Sequence, residues 1–174
     1  MSVLGSIAEW REEAKALERF AYALTPDARS NRDPAATALL ADSLINRAVL
    51  AVQNGEGPVG LGRRLQLLAL FIHLHRRHVR MQSLDDEFAD GAYGRDGGQI
   101  ERVVCAMPLE QREALLLVVL ERLSHAEAAA VLEISFAALI DRLTRARAAL
   151  SRAAAGRLDT SRRKKGVGHL RLIK

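Results

Sequence analysis

Apolar residues recur along this chain at steps of three and four, and no stretch alternates polar with β-branched residues over the length of a strand, so the pattern predicts an all-α fold. The first helix is expected from about Ile7 to Leu24, carried by Ile7, Trp10, Ala14, Leu17, Phe20, Ala21 and Leu24, and stopped by Thr25-Pro26-Asp27. A second opens at Asp33-Pro34, a cap followed by proline at the first helical position, and carries Leu39, Leu40, Leu44, Ile45, Val49 and Val52 as far as Asn54-Gly55. A third runs from about Leu61 to Met81 with Leu65, Leu68, Phe71, Ile72 and Val79 on its apolar side. Residues 85–98, DDEFADGAYGRDGG, then break the period with four glycines and five acids, the composition of a linker. Beyond it the pattern predicts helices at Gln99–Ala106, Pro108–Leu123, Ser124–Leu132 and Ser135 to about Ala155. Two small helical domains joined by a linker are expected: 1–84, a linker at 85–98, 99–155, and a basic tail at 156–174.

The segment from Leu123 to Leu150 carries the most information. Ser124 and Glu127 have the spacing of a capping box, Ala128, Val131 and Leu132 form an apolar stripe, and Glu133-Ile134-Ser135 is a short turn. A second helix follows with Leu139, Leu143, Ala146 and Leu150 inward and Arg142, Arg145 and Arg147 on its outer surfaces. Two helices joined by a turn of three or four residues, the second rich in arginine, is the arrangement that lays its second helix in a DNA major groove.

Charge sharpens this picture. The net charge is +5, and residues 151–174 hold eight Lys and Arg against Asp159 alone, which leaves the rest of the chain net acidic. A second basic block joins Arg63, Arg64, Arg76, Arg77 and Arg80 with His73, His75 and His78 and contains no acid. Such blocks are either the footprint of phosphate binding or solvated helix faces, and charge alone does not separate the two. One cysteine, Cys105, excludes an intramolecular disulfide framework and suits a reducing cytoplasm. It sits at the edge of an apolar stripe as an inert buried thiol. No signal peptide and no membrane-spanning run is expected. Arginines crowd His75 and His78, which repels cations, and no catalytic signature or phosphate loop occurs. No metal, no cofactor and no enzymatic activity are therefore expected.

The stretch MPLEQREALLLVVLERLSHAEAAAVLEIS followed by RLTRARAAL resembles the fourth conserved region of the extracytoplasmic-function group of bacterial RNA polymerase sigma factors, members of the sigma-70 family. Pro108, Gln111, Arg112, Glu113, Leu115, Leu116, Ser124, Glu127, Ala128, Ala129, Leu132, Ile134, Arg142, Leu143, Arg145, Ala146 and Arg147 stand where that pattern has them. ERFAYALTPDARS is similar to the family's opening helix, and the basic third helix to its promoter-melting segment. The resemblance implies a transcription-initiation factor with core RNA polymerase and promoter DNA as partners and an anti-sigma factor as regulator. It further implies DNA contacts from Ser135, Ala138, Arg142, Arg145, Arg147, Arg76, Arg77 and Arg80. Polymerase contacts would come from Leu39, Leu40 and Asp42, in the stretch that matches the family's acidic run. Two departures stand out. Ile140 and Asp141 replace the usual Lys and Ser of the recognition helix, and only Asp42 keeps an acid in the polymerase-binding run. They motivate a second expectation, a sigma-like decoy that sequesters an anti-sigma factor.

Overall fold

A computed structural model describes residues 3–25, 34–85 and 99–165, and within these span ends the side chains of residues 3–12, 34, 36–37, 82–85, 99 and 156–165 are not described. Seven helices make up the described residues: α1 (Val3–Leu24), α2 (Pro34–Gln53), α3 (Arg63–Asp85), α4 (Gln99–Cys105), α5 (Leu109–Val119), α6 (His125–Leu132) and α7 (Phe136–Lys165). The all-α expectation holds. Most of the expected linker, residues 86–98, and the end of the expected tail, residues 166–174, lie outside the described residues.

Most helix starts fall within a few residues of the periodic pattern, and three C-termini differ from it, α3 running to Asp85, four residues past Met81. Helix α5 stops at Val119 instead of reaching Leu123, because Arg122 takes a left-handed conformation at φ 56°. The amide of Leu123 then donates back to the Leu117 carbonyl at 3.1 Å, which closes the end of the helix. Helix α7 continues to Lys165, ten residues past the expected end, since AAAGRLDTSRRKK contains no proline and only one glycine to break it.

Helices α1, α2 and α3 pack as one bundle, with α2 against both neighbours. Leu17, Phe20, Ala21 and Leu24 of α1 meet Ala41, Leu44, Ile45 and Ala48 of α2 and Leu67, Leu68, Phe71 and Ile72 of α3. The rings of Phe20 and Phe71, both fully buried, meet edge to face at 6.0 Å between centroids, a contact worth about 1 kcal/mol beyond its area. Helices α4 to α7 form the second bundle, with α7 packed against α4, α5 and α6. Contacts of α1 with α5 and of α3 with α6 bring the bundles together, and the buried residues of both belong to one continuous apolar cluster. A smaller cluster of Met107, Leu115 and Ala146 closes the far side of the second bundle. None of the helices described is long and apolar enough to cross a membrane.

Candidate nucleic-acid interface

The α6–turn–α7 unit forms as its local chemistry dictates. Ser124 Oγ accepts from the Glu127 amide at 3.2 Å, while the Glu127 carboxylate accepts from the Ser124 amide at 2.8 Å. The hydroxyl and backbone bonds of Ser124 hold the Glu127 carboxyl below the usual carboxylate range. Glu133 turns the chain at φ 55°, and the Ile134 amide donates to the Ala129 carbonyl at 3.1 Å. Ser135 Oγ then accepts from the Ala138 amide at 3.2 Å and caps the start of α7. Leu139, Leu143 and Ala146 are buried beneath α7, and Ala128, Ala129, Val131 and Leu132 beneath α6.

The outer face of α7 presents Ser135, Phe136, Ala137, Ile140, Asp141, Thr144, Arg145 and Arg147, all exposed. Ala138 is half-buried, one step off that face. Asp141 is not a naked acid: Arg145 holds it through Nε at 3.2 Å and Nη2 at 3.0 Å. The charge introduced at position 141 is thereby neutralised, and one of the arginines expected to contact DNA is engaged. Arg142, expected on an outer surface, turns instead toward α5, where its Nη2 lies 3.1 Å from Glu110 Oε2. Phe136 and Ile140 add an apolar strip, and the Phe136 ring meets His125 edge-on at 6.1 Å.

On the first bundle the α3 arginines divide. Arg77 and Arg80 are exposed with His73 on one face of the helix, the placement a phosphate contact requires. Arg76 points the other way, into the junction with α5, and grips Glu113 with Nε at 2.9 Å and Nη2 at 2.6 Å. Glu113 is fully buried, and this burial raises its carboxyl above the ordinary range against the lowering pull of Arg76. A second junction pair joins Arg64 of α3 to the Glu121 carboxylate at 2.8 Å and to its carbonyl at 3.0 Å. Arg112 of α5 donates across the junction to the Leu24 carbonyl at 3.2 Å and, within its own bundle, to the carbonyls of Cys105 and Met107 at 3.0 and 3.2 Å. His75 stacks on Phe71 in the same region. Desolvation, with the nearby charges of Arg112, His78 and Arg76, lowers its pKa to about 4 and keeps it neutral.

The residues expected to meet polymerase lie on α2, where Leu39 and Asp42 are exposed and Leu40 is half-buried against the apolar cluster. Sequence reasoning missed the junction pairs. A signal was present in Glu113, an acid on the apolar stripe Leu109, Leu116 and Leu117 of α5, since a buried carboxylate demands a cation from elsewhere. Among the described residues no three His, Cys, Asp or Glu side chains come together as a metal site would need.

Comparison with known proteins agrees with this geometry. Residues 97–150 match the family described as Sigma-70, region 4, a span that covers the whole helix-turn-helix. The part of the chain from α4 through Leu150 of α7 is thus similar to region 4 of sigma-70 proteins. Among solved structures, the sigma factor RpoE of Bartonella quintana, determined in complex with the anti-sigma factor NepR, superposes with a TM-score of 0.63 at 18% identity, over 88% of this chain and 98% of that one. The likeness of fold extends over both bundles. No curated protein matches the chain.

Proposed function

We propose that the chain is an extracytoplasmic-function-type sigma factor that binds core RNA polymerase and directs it to promoters. The observation that carries the reading is the region 4 helix-turn-helix, with a capped, outward α7 bearing Arg145 and Arg147. In this reading the start of α7 contacts the minus-thirty-five element through the exposed Ser135, Arg145 and Arg147, whereas Ala138 is half-buried and Arg142 is turned toward Glu110. The first bundle, residues 1–84, contacts polymerase through Leu39, Leu40 and Asp42 and the minus-ten element through Arg77 and Arg80, while Arg76 is engaged by Glu113 at the junction. Residues 85–98 link it to the region 4 domain at 99–155, and the basic tail at 156–174 adds charge attraction to phosphates. The chemistry is recognition alone, and no step calls for a catalytic group or a cofactor. An anti-sigma factor as regulator is supported by the similar solved structure, whose sigma factor was captured with one.

A sigma-like decoy that occupies an anti-sigma factor is the second reading, favoured by the Asp141–Arg145 pair and by the exposed Ile140 where the family pattern has a lysine. Run-off transcription with purified core polymerase on a library of bacterial promoters separates the two. Promoter-specific transcripts above the core-alone level support the sigma factor. Tight anti-sigma binding with no transcript and no polymerase association overturns it in favour of the decoy.

A further inference from the structure

The exposed side of α7 carries two rows of residues at helical spacing, and they differ in chemistry. Ala137, Asp141 and Arg145 make one row, in which acid and base hold each other at 3.0 Å and their charges cancel. Phe136, Ile140 and Thr144 make the other, with Arg147 at its end. Phe136 and Ile140 are large apolar side chains left exposed, and the Phe136 ring rests edge-on against His125 at 6.1 Å between centroids. Most hydrogen-bonding groups near these rows are engaged within the protein. Ser135 Oγ accepts from the Ala138 amide at 3.2 Å, the Thr144 hydroxyl donates to the Ile140 carbonyl at 2.8 Å, and Arg142 turns to Glu110. What the first turn and a half of α7 offers outward is therefore largely apolar: Phe136, Ala137 and Ile140.

In a helix-turn-helix the N-terminal residues of the second helix meet base edges in the major groove. Most marks on those edges are hydrogen-bond donors and acceptors, and the C5-methyl of thymine is the apolar one. We propose that Phe136 and Ile140 are specificity residues that read thymine methyl groups in the duplex site held by α7. DNA is the occupant that the charges fit. The row ends in the exposed Arg147, and α7 beyond Leu150 carries six arginines and lysines against Asp159 alone. A polyanion with methyl groups in its groove complements both the charge and the apolar tip, whereas a second copy of this chain would set like charges against each other. The inference rests on the DNA-binding reading of α6 and α7 and deepens it. Ile140, where the family pattern has a lysine, then exchanges a polar contact for a methyl contact and leaves DNA recognition in place.

The test is binding of the full-length chain, alone and with core RNA polymerase, to duplexes that it selects from a random library. In the tightest duplex each thymine is replaced in turn by deoxyuridine, which lacks only the 5-methyl group and keeps every base-pairing and groove hydrogen-bonding group. Replacement is expected to weaken binding about fourfold at one or two positions, the effect of one methyl group leaving water, and to change nothing elsewhere. At a sensitive position 5-methylcytosine should bind better than cytosine by a similar factor. Phe136→Ala and Ile140→Ala are each expected to remove the difference between thymine and deoxyuridine at one sensitive position, with the salt slope unchanged. Ile140→Lys should remove the same difference as Ile140→Ala and steepen the slope by about one. Selective binding with no deoxyuridine effect at any position overturns the methyl reading and leaves the DNA-binding reading standing. An effect that survives both alanine substitutions overturns the assignment to Phe136 and Ile140. If neither form selects a duplex, both readings fall, and loss of self-association or of anti-sigma binding in the alanine variants assigns the strip to a second copy or to a protein partner. Circular dichroism melts confirm that the variants are folded, and the comparison of thymine with deoxyuridine on the unsubstituted chain carries the test if they are not.

Discussion

Two ion pairs of this molecule use the same chemistry, an arginine fork on a carboxylate, and differ in almost everything else. Arg76–Glu113 joins residues 37 positions apart across the junction of the bundles, with its acid fully buried. Arg145–Asp141 joins neighbouring turns of α7, with both side chains more than half exposed. Water competes for the second pair and hardly reaches the first. The outer pair therefore tunes the charge of a surface, while the inner one holds two bundles together and keeps an arginine away from solvent. The difference shows why arginine content alone says little about which arginines can meet DNA.

Double-mutant cycles break this comparison most directly. The Arg76/Glu113 cycle in urea melts is expected to give a coupling of about 3 kcal/mol, against about 0.5 kcal/mol for Arg145/Asp141. Equal couplings would mean that burial of Glu113 does not set the strength of the junction. The next largest effect is a pH dependence from His75, whose pKa is about 4 when folded against an ordinary 6.5. A lowered histidine value contributes stability in full above the ordinary value, and the contribution is lost as pH falls toward the folded one. From pH 7 to 4.5 the loss is about 2–3 kcal/mol. Glu113, with its raised carboxyl, works in the opposite sense and offsets part of it. His75→Phe, which keeps the stacking on Phe71, should remove the histidine share of the slope, and an unchanged slope would assign the pH dependence to other groups.

At the helix-turn-helix, Ser124→Ala removes the capping box and should cost about 1 kcal/mol in thermal or urea melts, with α6 fraying first. Arg122→Gly, at φ 56°, relieves the left-handed strain and should stabilise by about 0.5 kcal/mol after the entropy cost of glycine. Loss of stability instead would show that the Arg122 side chain makes a contact worth more than the strain. The smallest stability change, under about 0.5 kcal/mol, is expected for Arg145→Ala. Its larger effect should be on DNA, with weaker binding and a flatter dependence of affinity on salt. An unchanged salt slope would remove Arg145 from the proposed interface.

Much of this architecture was legible before any coordinates. The apolar period of three and four found every helix among the described residues, because helix formation here follows from local spacing and from punctuation such as Asp33-Pro34 and Asn54-Gly55. Ser124 with Glu127 marked the start of α6 because a capping box is made entirely from residues three positions apart, and the region 4 family match rests on the same compact stretch. The ends of α5 and α7 were less legible. The first depends on a left-handed Arg122, a residue type that does not announce such a turn, and the second on the absence of a strong breaker.

What sequence alone determined, then, is the set of described helices, the helix-turn-helix and the family whose region 4 it resembles, all of which depend on contacts within a few turns. Tertiary structure alone decided which arginines face outward. Helical spacing tells which residues share a face but not which other helix covers it, and it could not show that Arg76 lies against Glu113 or that Arg142 turns toward Glu110 while Arg77 and Arg80 remain exposed. The physical reason is burial: a carboxylate removed from water on α5 selects its cation by proximity in space, and the nearest guanidinium comes from a helix 37 residues away in the chain.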